Sequence, residues 1–519
     1  MNLLTEPIIS VSHQKRLSLP ELLAALAQGR VTQFPALRPH QRGTWHMFLV
    51  QLATLALWPA KQSEPPKDST EWATLLRRLT PDHTDDAPWC MVVGDLAKPA
   101  FLQPPAPDNV KWSPVATPDA LDLLITARNH DLKQSVAREV EAEDWLFALV
   151  SLQTSEGYGG AGNHGIARMN GGSSSRPMLG LGPAQGKDYT LNPSAWWRRD
   201  VRRLLAERQA GNSLKLGCEG GLALLWCLDW PEGEQLDLRE LDPWFIEVCR
   251  RVRLVGAKNR LSALRAISKA SRIDAKMYHG NVGDPWTPVH RQDGKSLTLG
   301  GGDFHYKRLA ELMFGGDWQV PVLAKLGPEE ETMTGDRLLV AEALSRGNSK
   351  TEGFKSRVVP VPDSVKRLFQ SPTAATLSKL QMEEIKAFDE ALRNAIALLA
   401  ARGDWDSVGK PQYAVSKPTR DRFDRTADTL FFPNLWARLE AETSGDHDYV
   451  NKAGGDFRRK LLEAAKAELA AALPGVPCST LQRPKAETRA WRAFHARIHK
   501  LDTQLYQNSE MQEDIDAEP

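Results

Sequence analysis

A chain of 519 residues, 41% hydrophobic and 25% charged, has the composition of a folded globular protein of about two to four domains at roughly 150 residues each. Its 66 Lys and Arg against 65 Asp and Glu leave a formal charge of +1. That excludes a globally basic nucleic-acid binder, so any electropositive surface must come from segregated charge. Cys90, Cys218, Cys227, Cys249 and Cys478 are odd in number, widely spaced and form no CxxC pair, which excludes a disulfide framework and a structural zinc site.

The first residues, MNLLTEPIISVSHQKR, lack the basic-then-apolar order of a signal peptide. The most apolar stretch, 47–58, is broken by Gln51 and Thr54 and is too short to span a bilayer. The expectation is a reduced, cytoplasmic protein with no membrane contact. Trp (16) outnumbers Tyr (7), which points to large anchors in cores or interfaces.

In chain order, Ser18 opens a helix carrying Leu19, Leu22, Leu23 and Leu26, with Pro20 in its first turn. A longer apolar helix follows over 44–57 and stops before Pro59. Pro104, Pro105 and Pro107 mark a loop, and 141–152 reads as a buried helix. Residues 157–187 hold ten glycines and no acid, with Arg168, Arg176 and Lys187; a loop of that length inside a compact domain is uncommon unless functional. A helix bearing WWRRDVRRLLAER comes next. Arg250, Arg251, Arg253, Lys258, Arg260, Arg265, Lys269 and Arg272 then occur with no acid over 250–273, a run expected to meet an anion. TPVHRQDGKSLTL alternates as a ribbon with a turn at Asp293-Gly294. RVVPVPDSV, 357–365, reads as a Pro-rich boundary. Beyond it, apolar residues spaced by three and four define helices over 375–401, 420–442, 449–472 and 485–507, an antiparallel bundle. The expected divisions are 1–370, 371–508, and an acidic tail, 509–519, expected to be disordered.

Catalytic motifs fail on their context. Gly157, Gly159 and Gly162 satisfy G-x-G-x-x-G, but NHGIARMNGGSSS is a poor helix former and no acid stands at the ribose distance. LGPAQGKD mimics a P-loop with Leu181 for the first glycine and Asp188 for the hydroxyl residue. His495 and His499 lack the Glu of a zinc hydrolase, and G-x-S-x-G is absent. No enzyme, cofactor or metal is expected. A glycine-rich, acid-free loop instead lets backbone N–H groups approach a phosphate or base edge. Basic residues beside it add sequence-independent attraction to a nucleic acid.

The order of MNLLTEPIISV, LRPHQRGTWHMFLVQLATLAL, LLITARNHDLK, GYGGAGNHGIARMNGG, DPWTPVHRQDGKSLTL, RGNSKTEGF and a terminal bundle resembles the CasA family, large subunits of the type I-E CRISPR surveillance complex Cascade. The resemblance runs through nearly the whole chain. It implies an α+β fold, a large mixed α/β N-terminal domain followed by a C-terminal four-helix bundle. It also implies a non-catalytic protein that recognises the protospacer-adjacent motif (PAM) in double-stranded foreign DNA, helps open the duplex and recruits a helicase-nuclease. The implied partners are the other Cascade subunits, the guide RNA, target DNA and that nuclease.

Carried over by position, the glycine loop falls on Gly157, Tyr158, Gly159 and Gly160, approaching the PAM from the minor groove, where reading is permissive. The wedge hairpin falls on Gly347, Asn348, Ser349 and Lys350; relatives with a glutamine at the tip differ from this chain, which has Ser349 and Lys350 nearby. A lysine-bearing loop falls around Arg291, with Arg as the substitute. The loop reaching the guide's 5′ end falls on Asn129, His130, Asp131, Leu132 and Lys133. Cys218, Cys227 and Cys249 do not reproduce the zinc cluster of some relatives. The competing readings are a metal-dependent phosphohydrolase or nucleotide-binding enzyme using loop 157–162 with His130 and Asp131, and a scaffold whose basic run only solvates a face.

Overall fold

The computed structural model describes residues 1–12, 15–108, 110–122, 140–186, 188–212, 216–257, 260–347 and 350–501. Asn129, His130, Asp131, Leu132 and Lys133, the hairpin-tip residues Asn348 and Ser349, and the acidic tail lie outside these residues. The chain divides into two compact units: 1–304 with 316–360, and 305–315 with everything from 361 onward. The fold is α+β, with the described sheets in the first unit and long helices in the second.

The first unit is built around helix Arg42–Leu57, in which every residue from Gly43 to Leu57 is buried. It packs on helices Ala142–Ser155 and Pro193–Gln209 and on strand Leu241–Ile246. The polar residues that interrupt its apolar run have internal partners. Gln51 donates to the carbonyls of Trp244 (3.2 Å) and Phe245 (3.0 Å) and accepts from Arg176; the Thr54 hydroxyl donates to the Val50 carbonyl. His46 pairs with Asp200 at 2.8 Å and stacks on Trp196, ring centroids 3.6 Å apart. Gln51, Thr54 and His46 can be buried here because each has a hydrogen-bond partner.

A four-stranded sheet runs Lys350–Val361, Arg337–Gly347, Met178–Gln185, Thr190–Leu191, with Leu339 opposite Leu181 and Glu342 opposite Met178. One expectation is corrected by it. The stretch 157–187 is not all loop, because Met178–Gln185 is a strand against which Trp196 packs closely at Gly180 and Gly182. Within 357–365, residues 357–361 finish strand Lys350–Val361 at the sheet edge, where Pro360 forfeits no ladder bond to a further strand, and the division between the two units falls after Pro360. A three-stranded sheet, Ser113–Val115, Arg260–Ala266, Arg251–Ala257, places Ala263 between Val115 and Leu254.

In the second unit, helices Pro372–Ala400, Lys417–Ser444, His447–Ala472 and Arg483–His499 form a bundle, joined by the shorter helix Tyr306–Phe314 from the middle of the chain. Ile385, Phe388, Leu392, Ile396 and Leu399 bury one face of the first long helix, at the three-and-four spacing. Tyr306 anchors the inserted helix: its N–H donates to Asp428 (2.7 Å) and its hydroxyl to Asp424 (3.1 Å).

Candidate nucleic-acid interface

The glycine loop leaves helix Ala142–Ser155 at Glu156 and returns at Ser175, the two residues forming a β-bridge. Inside that neck the backbone is packed on itself. A Cβ on Gly157 would lie 2.4 Å from the Ser174 carbonyl oxygen and 2.5 Å from that of Gly172; one on Gly165 would lie 2.7 Å from the Gly157 carbonyl carbon. Only glycine fits there. Tyr158 N–H donates to the Gly172 carbonyl (2.7 Å), Gly159 N–H to that of Asn163 (2.9 Å), and Asn163 N–H to that of Gly160 (2.9 Å). The result is a tight turn with Gly160 at φ +111° and Gly162 at φ +72°. At its tip Tyr158 is 46% exposed, and a Cβ on Gly160 would meet no heavy atom within 4 Å. The tip is open backbone beside one aromatic ring.

The turn end of the long hairpin is stitched to this loop. The Ser175 N–H donates to the Leu344 carbonyl (3.1 Å), and its hydroxyl accepts from the Leu344 N–H (2.8 Å). The Ser174 hydroxyl donates to the Leu299 carbonyl (2.6 Å), and the Ser345 hydroxyl to that of Gly300. Glu156 holds Arg346 of the hairpin at 3.1 Å and Arg250 of the sheet at 3.2 Å. Loop and hairpin, about 190 residues apart in sequence, are therefore joined near the hairpin turn, where Gly347 ends one strand and Lys350 begins the other. Arg291 is exposed on a different turn; its N–H donates to the Asp317 carbonyl (2.7 Å) and its charge faces Lys325. Burial, and then Arg291 and Arg203, hold the Lys325 ammonium below its usual range.

Most of the cations that made these segments look anion-seeking are structural. Arg168 is buried against Phe245 (3.8 Å) and paired with Glu247 (3.0 Å); Arg176 is buried and paired with Asp284 (2.6 Å). In the acid-free run, Arg250, Arg251, Arg253 and Arg272 are all buried. Arg253 donates to the carbonyls of Lys98, Gln103, Val93 and Asp95, and Arg272 to those of Asp229, Leu225 and Leu228. Arg251 and Arg272 both lie against the Trp230 ring. Burial pulls the Arg253 and Arg272 guanidiniums down to about 10. The expected anion contact therefore fails for these four residues, and Arg260, Arg265 and Lys269 are the exposed remainder among the described ones. On the bundle helix Arg489 donates to the Gly403 carbonyl (2.7 Å) and Arg497 pairs with Glu390, while Arg492 and Lys500 are exposed.

The enzyme-like motifs resolve into ordinary structure. After Gly162 the chain turns rather than opening a helix, and the P-loop mimic is strand Met178–Gln185. His495 stacks on Trp491, centroids 5.6 Å apart. Among the described residues no group of three or more His, Cys, Asp or Glu is placed to hold a metal ion, and no helix is long and apolar enough to cross a membrane. Burial pushes the Cys227 and Cys249 thiols up to about 12. Sequence reading missed Glu156, Ser174 and Ser175; the one available signal was that Glu156 is the last acid before the acid-free loop.

Glu342, on the hairpin strand, lies against the N-terminus of the central helix: a Cβ on Gly43 would sit 2.7 Å from its Oε2. Arg42 and the Ser356 hydroxyl also face it. Burial pushes its carboxyl from an ordinary 4.5 up to about 7. A raised carboxyl binds its proton more tightly in the folded state, so its stabilising contribution is complete below pH 4.5 and is lost as pH rises towards about 7. Glu342→Gln is expected to flatten that part of the stability–pH profile, measured by thermal melts at half-unit steps. An unchanged slope would show that the group does not titrate there.

No protein-family model matches the sequence, and neither does any curated relative. Solved structures do. CasA from Thermus thermophilus matches with a TM-score of 0.65 at 15% identity, over 96% of this chain and 99% of that one. Cse1 from Acidimicrobium ferrooxidans gives 0.64 at 14%, over 97% and 99%, and Thermobifida fusca Cse1 gives 0.62 at 14%, over 96% and 98%. The likeness is one of fold, and it spans almost the whole of each chain.

Proposed function

We propose that this chain is the large subunit of an RNA-guided CRISPR surveillance complex of the Cascade type. In this reading it recognises the PAM of double-stranded DNA with loop 157–160, starts duplex opening with the adjoining hairpin, and recruits a helicase-nuclease. The observation that carries the reading is the joint between loop and hairpin, in which Glu156, Ser174 and Ser175 tie the glycine loop to the turn end of the two-stranded hairpin. A reader of a short duplex motif and a wedge beside it must keep a fixed spacing, because strand exchange nucleates next to the motif. The CasA fold over nearly the whole chain supports the same conclusion. The exposed Arg260, Arg265 and Lys269 are suited to phosphate contact.

Replacing Asn348, Ser349 and Lys350 with alanine in the assembled complex is expected to slow opening of linear duplex. A pre-mismatched target should restore the rate, because its opening cost is lower. Equal opening rates for variant and wild type on linear DNA would remove the wedge role. Arg260/Arg265/Lys269→Gln should lower the salt slope of binding by about 0.9 for each phosphate that is no longer neutralised, with PAM preference kept. A slope identical to that of wild type would remove the phosphate role.

A further inference from the structure

Helix Arg483–His499 of the bundle has two unlike faces. Ala486, Ala490, Phe494 and Ile498 are buried on one of them. Lys485, Arg489, Arg492 and Lys500 are exposed and, with Ala496 completing the row at steps of three and four, share the opposite face. The one acid of the helix, Glu487, lies off that row and pairs with Arg483. Arg489 is pinned by its bond to the Gly403 carbonyl (2.7 Å). Lys485, Arg492 and Lys500 have no ion-pair partner among the described residues. The row is about 22 Å long at 1.5 Å per residue. Like charges three and four apart repel one another, so the stripe is better held with an anion against it.

The chain that leaves this helix carries the opposite charge. From Leu501 to Pro519 the sequence holds Asp502, Glu510, Glu513, Asp514, Asp516 and Glu518, with no Lys, Arg or His. Five of those acids fall within 510–518, in a protein whose net charge is only +1. Lys500, the last cation of the stripe, is also where this acidic stretch begins. Residues 501–509 can span at most about 30 Å, enough to reverse direction beside the end of the helix. An extended 510–518 would then cover about 26 Å, close to the length of the stripe.

We propose that the acidic segment 510–518 docks along the cationic stripe 485–500 of its own chain and screens it from other polyanions. Charge complementarity and the short tether select this occupant. Running back from the helix end, the segment brings Glu510 and Glu513 beside Lys500 and Arg492, and Asp516 and Glu518 beside Arg489 and Lys485. A tethered segment acts at an effective concentration of about 1 mM, so a contact with a Kd of about 0.1 mM weakens a competing polyanion about tenfold. The contact is autoinhibitory, because a polyanion must displace the tail before it reaches the stripe. It is independent of the DNA contact proposed for loop 157–160.

The test uses the full chain and a zero-length carbodiimide, which joins an amine to a carboxylate only where the two touch. At low salt, mass spectrometry is expected to find Lys500 joined to Glu510 or Glu513, and Lys485 to Asp516 or Glu518, within one chain. At about 1 M salt, where the Debye length is about 3 Å, these links should disappear. A variant with the five acids of 510–518 replaced by Gln or Asn leaves every described residue unchanged. It is expected to bind heparin about tenfold more tightly than wild type at low salt, a gain lost when Lys485/Arg489/Arg492/Lys500→Gln is added. Links spread evenly over lysines elsewhere on the chain, links formed only between two chains, or equal heparin affinity with and without the tail acids overturns the inference. So does a heparin gain that survives neutralisation of the stripe, since net charge alone then accounts for it.

Discussion

Arg253→Gln is expected to lower the stability of the first unit by about 3–5 kcal/mol, without altering the salt dependence of DNA binding by the protein that stays folded. The guanidinium is 1% exposed and donates to four backbone carbonyls, those of Val93, Asp95, Lys98 and Gln103. The shorter amide of Gln cannot reach all four, and each buried carbonyl left without a donor costs about 1–3 kcal/mol. For a unit of this size the loss corresponds to roughly 5 °C in Tm. Loss of DNA affinity with a flattened salt slope and an unchanged melt would instead make Arg253 a phosphate contact. Arg272, which bonds three carbonyls around Trp230, should behave in the same way.

The acid-free run 250–273 is plain in the sequence, and its segregation of charge is real. Its meaning is hidden because the partners of Arg253 and Arg272 are main-chain carbonyls, which every residue carries and no side-chain pattern reveals. Arg168 and Arg176 mislead differently: their carboxylates, Glu247 and Asp284, lie about 80 and 110 residues away. The bundle helices were legible because burial of one face imposes a period of 3.6 on their apolar residues, and the central helix because its apolar run is too long for a strand and ends before Pro59. The edge strand ending at Val361 was not, because its prolines read as loop chemistry unless the open sheet edge is known.

The same contrast runs through the interface. Glycine density at 157–172 marked the loop, yet the glycines serve two ends that the sequence does not separate. Gly157 and Gly165 are small because backbone packs on backbone in the neck, whereas Gly160 stands in open space at the tip. Glu156 takes two arginines from elements nearly a hundred residues or more away, Arg250 and Arg346. Such a keystone has no local signature. It turns two separately readable segments into one surface, and this arrangement favours an interface over two unrelated loops.

Substitution in the two kinds of glycine should therefore separate folding from recognition. Gly160→Asp is expected to weaken target binding by the assembled complex at least about tenfold, with assembly intact. The added side chain meets no neighbour within 4 Å, and its cost to the fold is the strain of φ +111°, about 1–3 kcal/mol at most. In the proposed contact the added negative charge would face phosphates, worth about 1–4 kcal/mol of repulsion at 4 Å between water-like and surface-like dielectric. Gly160→Ala carries the same backbone strain without the charge and should retain most binding. Gly157→Ala is the opposite case: its Cβ would fall 2.4 Å from the Ser174 carbonyl oxygen, so the neck must open and the loop lose its shape together with part of its stability. The ordering expected in duplex titrations is wild type and Gly160→Ala together, Gly160→Asp well below them, and Gly157→Ala low with a reduced melting temperature. Binding by Gly160→Asp equal to that of wild type would count decisively against the tip as a DNA contact. A loss in Gly160→Ala as deep as in Gly160→Asp would assign the effect to backbone strain rather than to charge.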